Sequence, residues 1–378
     1  MPSSREQTGD AMASMSVDRV DGDPVGPTRR RQVILTTVTV AVIAIVLFGV
    51  LPQFGDFGKA TDAALGLPFL WLLALLSAAV LSIAIYATQW KAVVPELRFG
   101  AALGIANTSF MISNGIPGGG AIVLPTQYAM LADEGVDRTR ATAATGVTAL
   151  WNILATLLVP LIGVCFLVGT GNSTATWWGI IAGGFAGFAL VALLLRALVR
   201  SSEVARRVGN GAERVANAFL RLFKRDRPLA WGAALVRFRE STHELLSTRW
   251  LQISAAHVSI QLSQFAILDI ALEGLQRGSA TSTTFATTLF AFGVSRLGTF
   301  IPISPGGLGT VDGIMTALLV SAGNATAADA LAAVLIWRTL TFLPGMVLGS
   351  ASFVMWRRRS ASQLAAKLAA EAGTEPGT

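Results

Sequence analysis

Apolar runs separated by short polar segments dominate the chain from residue 33 onward. Six of them, residues 33–51, 68–88, 141–168, 177–199, 251–272 and 327–356, reach the length of about 20 residues that a helix needs to cross a bilayer. Two more regions are interrupted. Residues 99–114 and 121–131 flank a cluster of Gly115, Pro117, Gly118, Gly119 and Gly120, and residues 285–301 and 310–321 flank the stretch from Ile301 to Asp312. Each piece is too short to cross comfortably, so each pair is predicted to form a re-entrant hairpin, 99–132 and 283–322.

The interruptions break helix for covalent reasons. Pro302 and Pro305 lack a backbone donor and clash with the preceding turn, while Gly306, Gly307 and Gly309 raise the entropic cost of helix. In hydrocarbon the freed backbone groups are costly, so such a break is tolerated only inside protein or beside a water-filled cavity. Broken helices at membrane depth are typical of transport sites.

Charge orients the runs. Arg29, Arg30 and Arg31 precede the first; Lys91, Arg98, Arg138 and Arg140 bracket the first hairpin; Arg357, Arg358 and Arg359 follow the last. With both termini cytoplasmic, the external loops carry only Lys59 and Arg277, as the positive-inside rule requires. The chain then divides into a disordered cytoplasmic tail (1–28), a first membrane half (29–199), a basic cytoplasmic linker (200–247), a second membrane half (248–356) and a cytoplasmic tail (357–378). In the linker, Val204, Val208, Val215, Phe219 and Leu222 keep helical spacing, while Arg207, Arg214 and Arg221 fall on another face. That pattern suits an interfacial helix on anionic lipids, a solvated linker being the plainer alternative. No small-x-small cleavage site follows the run 33–51, which is therefore expected to stay as an anchor.

Composition narrows the function classes. Of 378 residues 53% are hydrophobic and 13% charged, which excludes an ordinary soluble domain. The net charge of +7 fits an anionic leaflet better than a nucleic acid, since no aromatic residues interleave a basic groove. Cys165 is the single cysteine, and His243 and His257 are the two histidines, so neither a disulfide framework nor a His- or Cys-based metal centre is expected. Neither glycine cluster carries the Lys of a P-loop, and no cofactor is expected.

The two interrupted regions resemble each other. Pro117-Gly118-Gly119 and Pro305-Gly306-Gly307 are each followed by a short apolar piece, a turn with Gly135 or Gly323, and a span carrying Trp151-Asn152 or Trp337-Arg338, at spacings that agree within two residues. On the charge-derived topology the halves run in opposite senses, an inverted-topology repeat that points to a substrate site between them.

Pro305-Gly306-Gly307-Leu308-Gly309 followed by Asp312, with Arg338 in the next span, resembles the membrane-embedded flippase-like region of bacterial lysylphosphatidylglycerol synthases and their stand-alone relatives. Ile116-Pro117-Gly118-Gly119-Gly120-Ala121, with Gln127-Tyr128 and Trp151-Asn152, looks like the partner motif in the first half. The resemblance covers residues 69–357. It departs from the commoner pattern, in which an Arg and a Glu follow the first proline. No segment outside the membrane is long enough for the soluble aminoacyl-transfer domain, so the resemblance implies lipid movement without lysyl-lipid synthesis.

Individual residues carry two readings each. Asp312 is a mid-membrane carboxylate and thus a site candidate, or a first-turn acid supporting a helix start capped by Thr310. Arg338 lies about 16 Å into its span, near the middle of a ~30 Å core, where it holds a lipid phosphate or pairs with Asp312. Arg296 lies nearer the outer side and is able to snorkel. The amides at Gly118, Gly119, Gly120, Gly306, Gly307 and Gly309 offer a phosphate two helix N-termini, or else allow close helix packing. Ser254, His257, Gln261 and Gln264 share one face of an apolar span, lining a hydrated path or bonding a neighbour; Asn152 occupies the place of Arg338 in the first half.

The expected fold is an all-α polytopic membrane protein with about six spans and two re-entrant hairpins. The expected role is a bacterial plasma-membrane transporter moving a phospholipid or lipid-linked head group between leaflets. A non-transporting module serving a partner enzyme is the alternative, a homo-oligomer is compatible with either, and one acid with one Arg makes no nucleophile and base arrangement for an enzyme.

Overall fold

The computed structural model describes residues 65–116, 119–171, 175–201, 231–279, 282–301 and 305–372, with residue 62 and several positions between 203 and 210. The expectations for the tail 1–28, the run 33–51, Pro117, Gly118 and most of the amphipathic linker segment lie outside the described residues.

Among the described residues every regular element is helical: α1 (Phe69–Val93), α2 (Phe99–Gly115), α3 (Gly119–Asp133), α4 (Arg138–Gly169), α5 (Ala175–Arg200), α6 (Trp231–Leu275), α7 (Phe285–Arg296), α8 (Thr310–Ser321) and α9 (Ala327–Ala372). Four stretches, Phe69–Val93, Arg138–Gly169, Leu245–Leu275 and Ala327–Ser360, are long and apolar enough to cross a membrane. The run 177–199 forms α5, although its apolar stretch is the shorter Ile181–Leu193.

Local chemistry sets the ends. The Asp137 carboxylate accepts the Thr139 and Arg140 amides at 2.9 and 3.0 Å and so caps α4. Thr284 caps α7 through its hydroxyl, 3.3 Å from the Thr287 amide. The segment 231–247 is continuous with the following span rather than part of a separate linker, and α9 likewise runs on through the expected tail to Ala372. No Gly or Pro stands between Gly232 and Gly274, or between Gly349 and Ala372, so nothing stops either helix at the membrane edge.

Contacts between helices come in matched pairs when the halves are exchanged. α2 packs on α9 as α7 packs on α4, α6 meets α4 as α1 meets α9, and α1 packs on α6 across the middle. Glycines let the cross-half pairs approach. A Cβ at Gly163 would lie 2.8 Å from the Leu289 carbonyl oxygen, and one at Gly349 2.3 Å from that of Asn107. Small residues at such crossings are how membrane helices gain dispersion contact without a hydrophobic driving force. One core gathers around Trp337, Phe292, Leu268 and Val311, and a second around Trp90, Leu131, Val147 and Ile253. Outside them, Phe69, Leu70 and Val80 of α1 are 79%, 73% and 68% exposed, an apolar surface suited to lipid.

Candidate functional site

The second break is built by left-handed glycines. α7 ends at Arg296 and passes through a 3₁₀ turn, Leu297–Phe300; a second short turn, Pro305–Gly307, leads to α8. Gly306, Gly307 and Gly309 have φ of +64°, +68° and +84°, values that cost an L-residue roughly 1–2 kcal/mol each. The helix cap is Gly309 rather than Thr310, because Thr310 already has helical geometry and turns its hydroxyl back to the carbonyls of Gly298 and Gly307, at 3.2 and 3.1 Å.

Asp312, third residue of α8 and 3% exposed, accepts the Gly309 amide on one oxygen at 2.9 Å. Its other oxygen accepts Nε and Nη2 of Arg338, at 2.8 and 2.5 Å. Arg338 is 6% exposed, donates through Nη1 to the Gly306 carbonyl at 3.4 Å, and lies 4.9 and 4.4 Å from the ring centres of Trp337 and Phe342. The geometry shows the pairing of Arg338 with Asp312 that the sequence left open. The guanidinium and carboxylate neutralise each other and tie α9 to the break.

Arg296 differs. Its Nε is buried without a hydrogen-bond partner, and no salt bridge reaches its side chain among the described residues. Its guanidinium lies 5.9 Å from the ring centre of Phe292. The polar surroundings come from α1, where Tyr86 accepts a hydrogen bond from Gln264 of α6 and stacks edge-on against Phe110 at 5.9 Å.

The stripe on α6 is largely engaged with its neighbours. Trp151 of α4 donates to Ser254 at 2.9 Å, and the ring nitrogens of buried His257 lie 2.9 and 3.2 Å from the carbonyls of Ile253 and Thr148. Three of its four members therefore brace α6 against α4 and α1, while the buried Gln261 leaves its side-chain oxygen unpartnered. Asn152 is exposed and does not share the interior position of Arg338. The first-break glycines diverge: a Cβ at Gly119 would lie 1.9 Å from the Ile112 carbonyl oxygen, Gly120 has open space, and Gly118 is outside the described residues. The tip of α2 meets the second break, with Asn114 against Gly306.

Two residues escaped the sequence reading. Tyr86 carries a hydroxyl into α1, and Asp269 brings a half-buried carboxylate into α6, near Glu273 and Thr288. The signal for both was a polar group inside an apolar run, which has to find a partner. A separate pocket of about 520 Å³ lies between α2, α3 and α9, lined among others by Arg98, Asp133, Trp356 and Arg359. Trp356 Nε1 donates to Asp133 at 2.7 Å across it.

A search of curated proteins returned no match. The family described as "Lysylphosphatidylglycerol synthase TM region" matches residues 35–349. That match spans both breaks and three of the four apolar helices of crossing length, and reaches into the fourth, so this multi-pass membrane protein belongs to the lysylphosphatidylglycerol synthase transmembrane-region family.

Proposed function

We propose that this protein moves a phospholipid or lipid-linked head group between the leaflets of a bacterial cell membrane, without enzymatic chemistry. The observation that carries the reading is Arg296. It is a cation at a helix break, with a buried Nε lacking a partner, next to an Arg338–Asp312 pair that already cancels its own charge. A lipid phosphate supplies the missing acceptor, and a charge-assisted bond in a poorly solvated site is strong.

The matched inter-helix contacts and the distribution of Lys and Arg support two inverted halves, each with a re-entrant hairpin, and cytoplasmic termini. The pocket with Arg98 and Arg359 then opens to the cytoplasmic side, where a head group enters, and rocking of the halves exposes the centre alternately. The acyl chains stay in the bilayer. Anionic lipids hold the basic linker at the surface.

Transport of a fluorescent phospholipid in proteoliposomes tests the proposal. The protein is expected to move lipid faster than protein-free vesicles do, and Arg296→Gln to lose that activity. Equal rates for protein and empty vesicles, across several lipid compositions and ion gradients, would overturn it; co-purification of a lipid-modifying enzyme through the basic segment would then favour a presenting module.

A further inference from the structure

Between α4, α6 and α7 lies a groove of about 160 Å³, walled by Leu158, Phe166, Leu262, Phe265, Leu289 and Phe292 among others, with Gln261 its one polar lining residue. Its rim faces outward: Phe166, Leu262 and Phe285 are 51%, 55% and 51% exposed. Its inner wall is Phe292, fully buried, and one helical turn further along α7 stands the guanidinium of Arg296, 5.9 Å from that ring. An apolar slot with an exposed rim is thus separated by the Phe292 ring from a cation that has no salt bridge among the described residues.

The place related to it by exchange of the halves has a different character. Between α1, α2 and α9 the cavity measures only about 20 Å³, and Ser82, Tyr86, Asn107 and Thr341 are on its wall. Room for a hydrocarbon chain exists between α4, α6 and α7, and not between α1, α2 and α9. Helix packing common to both halves does not account for that difference.

We infer that this groove holds one acyl chain of an anionic lipid whose head group reaches Arg296. The inference rests on the assignment of Arg296 above and adds the tail, its place and the charge requirement. A guanidinium at membrane depth is costly when unpaired, and a phosphate tethered to a chain in the slot offsets that cost. On the charge-derived topology the groove opens to the outer half of the bilayer, opposite the Arg98 and Arg359 pocket.

The test reconstitutes the full chain in phosphatidylcholine vesicles containing phosphatidic acid with a photoactivatable diazirine on one acyl chain, and maps labelled residues by mass spectrometry. Label is expected on residues 155–166 and 258–265. It should fall about tenfold in Arg296→Gln, which removes the charge-assisted bond, and when phosphatidylcholine carries the diazirine. Leu262→Trp, at a lipid-exposed position, should displace it by filling the slot. Label spread evenly over lipid-facing sites such as Leu70 and Val80, or unchanged by Leu262→Trp, overturns the groove; label in the groove that ignores Arg296→Gln overturns its link to the cation. Specific labelling without lipid movement leaves the groove standing and rejects transport, whereas movement with unspecific labelling does the reverse.

Discussion

Arg338 places both Nε and Nη2 on a single oxygen of Asp312, leaving the other oxygen to the Gly309 amide. The interaction joins α9 to the first turn of α8 and fixes the break from two directions. Both carboxylate oxygens and three of the five guanidinium N–H donors are engaged in holding the break.

Removing either partner strands a buried charge. Asp312→Asn and Arg338→Gln are each expected to lower stability by about 3–5 kcal/mol, and the double replacement Asp312→Leu with Arg338→Met by less than their sum. Thermal and denaturant unfolding in detergent measures this. Single variants as stable as the parent would dismiss the lock.

Arg296 should behave in the opposite way. Arg296→Gln is expected to slow lipid transport by about tenfold or more while leaving stability level or slightly raised, since it removes a desolvated charge that no carboxylate pairs among the described residues. Arg296→Lys should restore only part of the rate, because an ammonium lacks the planar fork. A melting loss as large as that of Arg338→Gln would assign Arg296 to structure as well.

The glycine crossings predict a steric cost that depends on position. Gly349→Ala puts a methyl 2.3 Å from the Asn107 carbonyl and is expected to destabilise by about 1–3 kcal/mol. Gly179→Ala on α5 meets nothing within 4 Å and should be neutral, or stabilising by up to about 1 kcal/mol through helix propensity. Equal effects at the two sites would show that backbone entropy, not packing, governs both.

Glu96, in the loop between α1 and α2, accepts Nη2 of Arg140 on both oxygens at 2.9 and 3.0 Å, which holds its carboxyl below the usual range. Both side chains are more than half exposed, so the pair is worth no more than about 1 kcal/mol. With a depressed folded value, its contribution is present above the ordinary Glu pKa of about 4.3 and is lost as pH falls through the folded value. The stability difference between the parent and Glu96→Gln should accordingly shrink on acidification; a difference that grows would contradict the assignment.

Much of the helix inventory was legible because length, hydropathy and Pro or Gly content are local. The pieces 99–114 and 310–321 correspond to α2 (Phe99–Gly115) and α8 (Thr310–Ser321). Asn152 shows where spacing fails: its alignment with Arg338 was good to two residues, and two residues turn a helix by about 200°, enough to move a side chain from the interior to the surface. The continuity of α6 from Trp231 was not legible, since charge marks where a helix leaves the bilayer and not where it ends.

The sequence by itself determined that this chain lives in a membrane, that its helices break at two glycine-rich points, and that Asp312, Arg338 and Arg296 lie within or near those broken regions. Chain-local chemistry suffices for that, because burying a backbone or a charge in hydrocarbon is costly wherever the neighbours are. Tertiary structure alone decided that Arg338 pairs with Asp312, that Arg296 keeps a buried unpartnered nitrogen, and that the apolar groove lies between α4, α6 and α7. The first and the last depend on side chains from different helices meeting, and no pattern along the chain encodes which cation reaches Asp312.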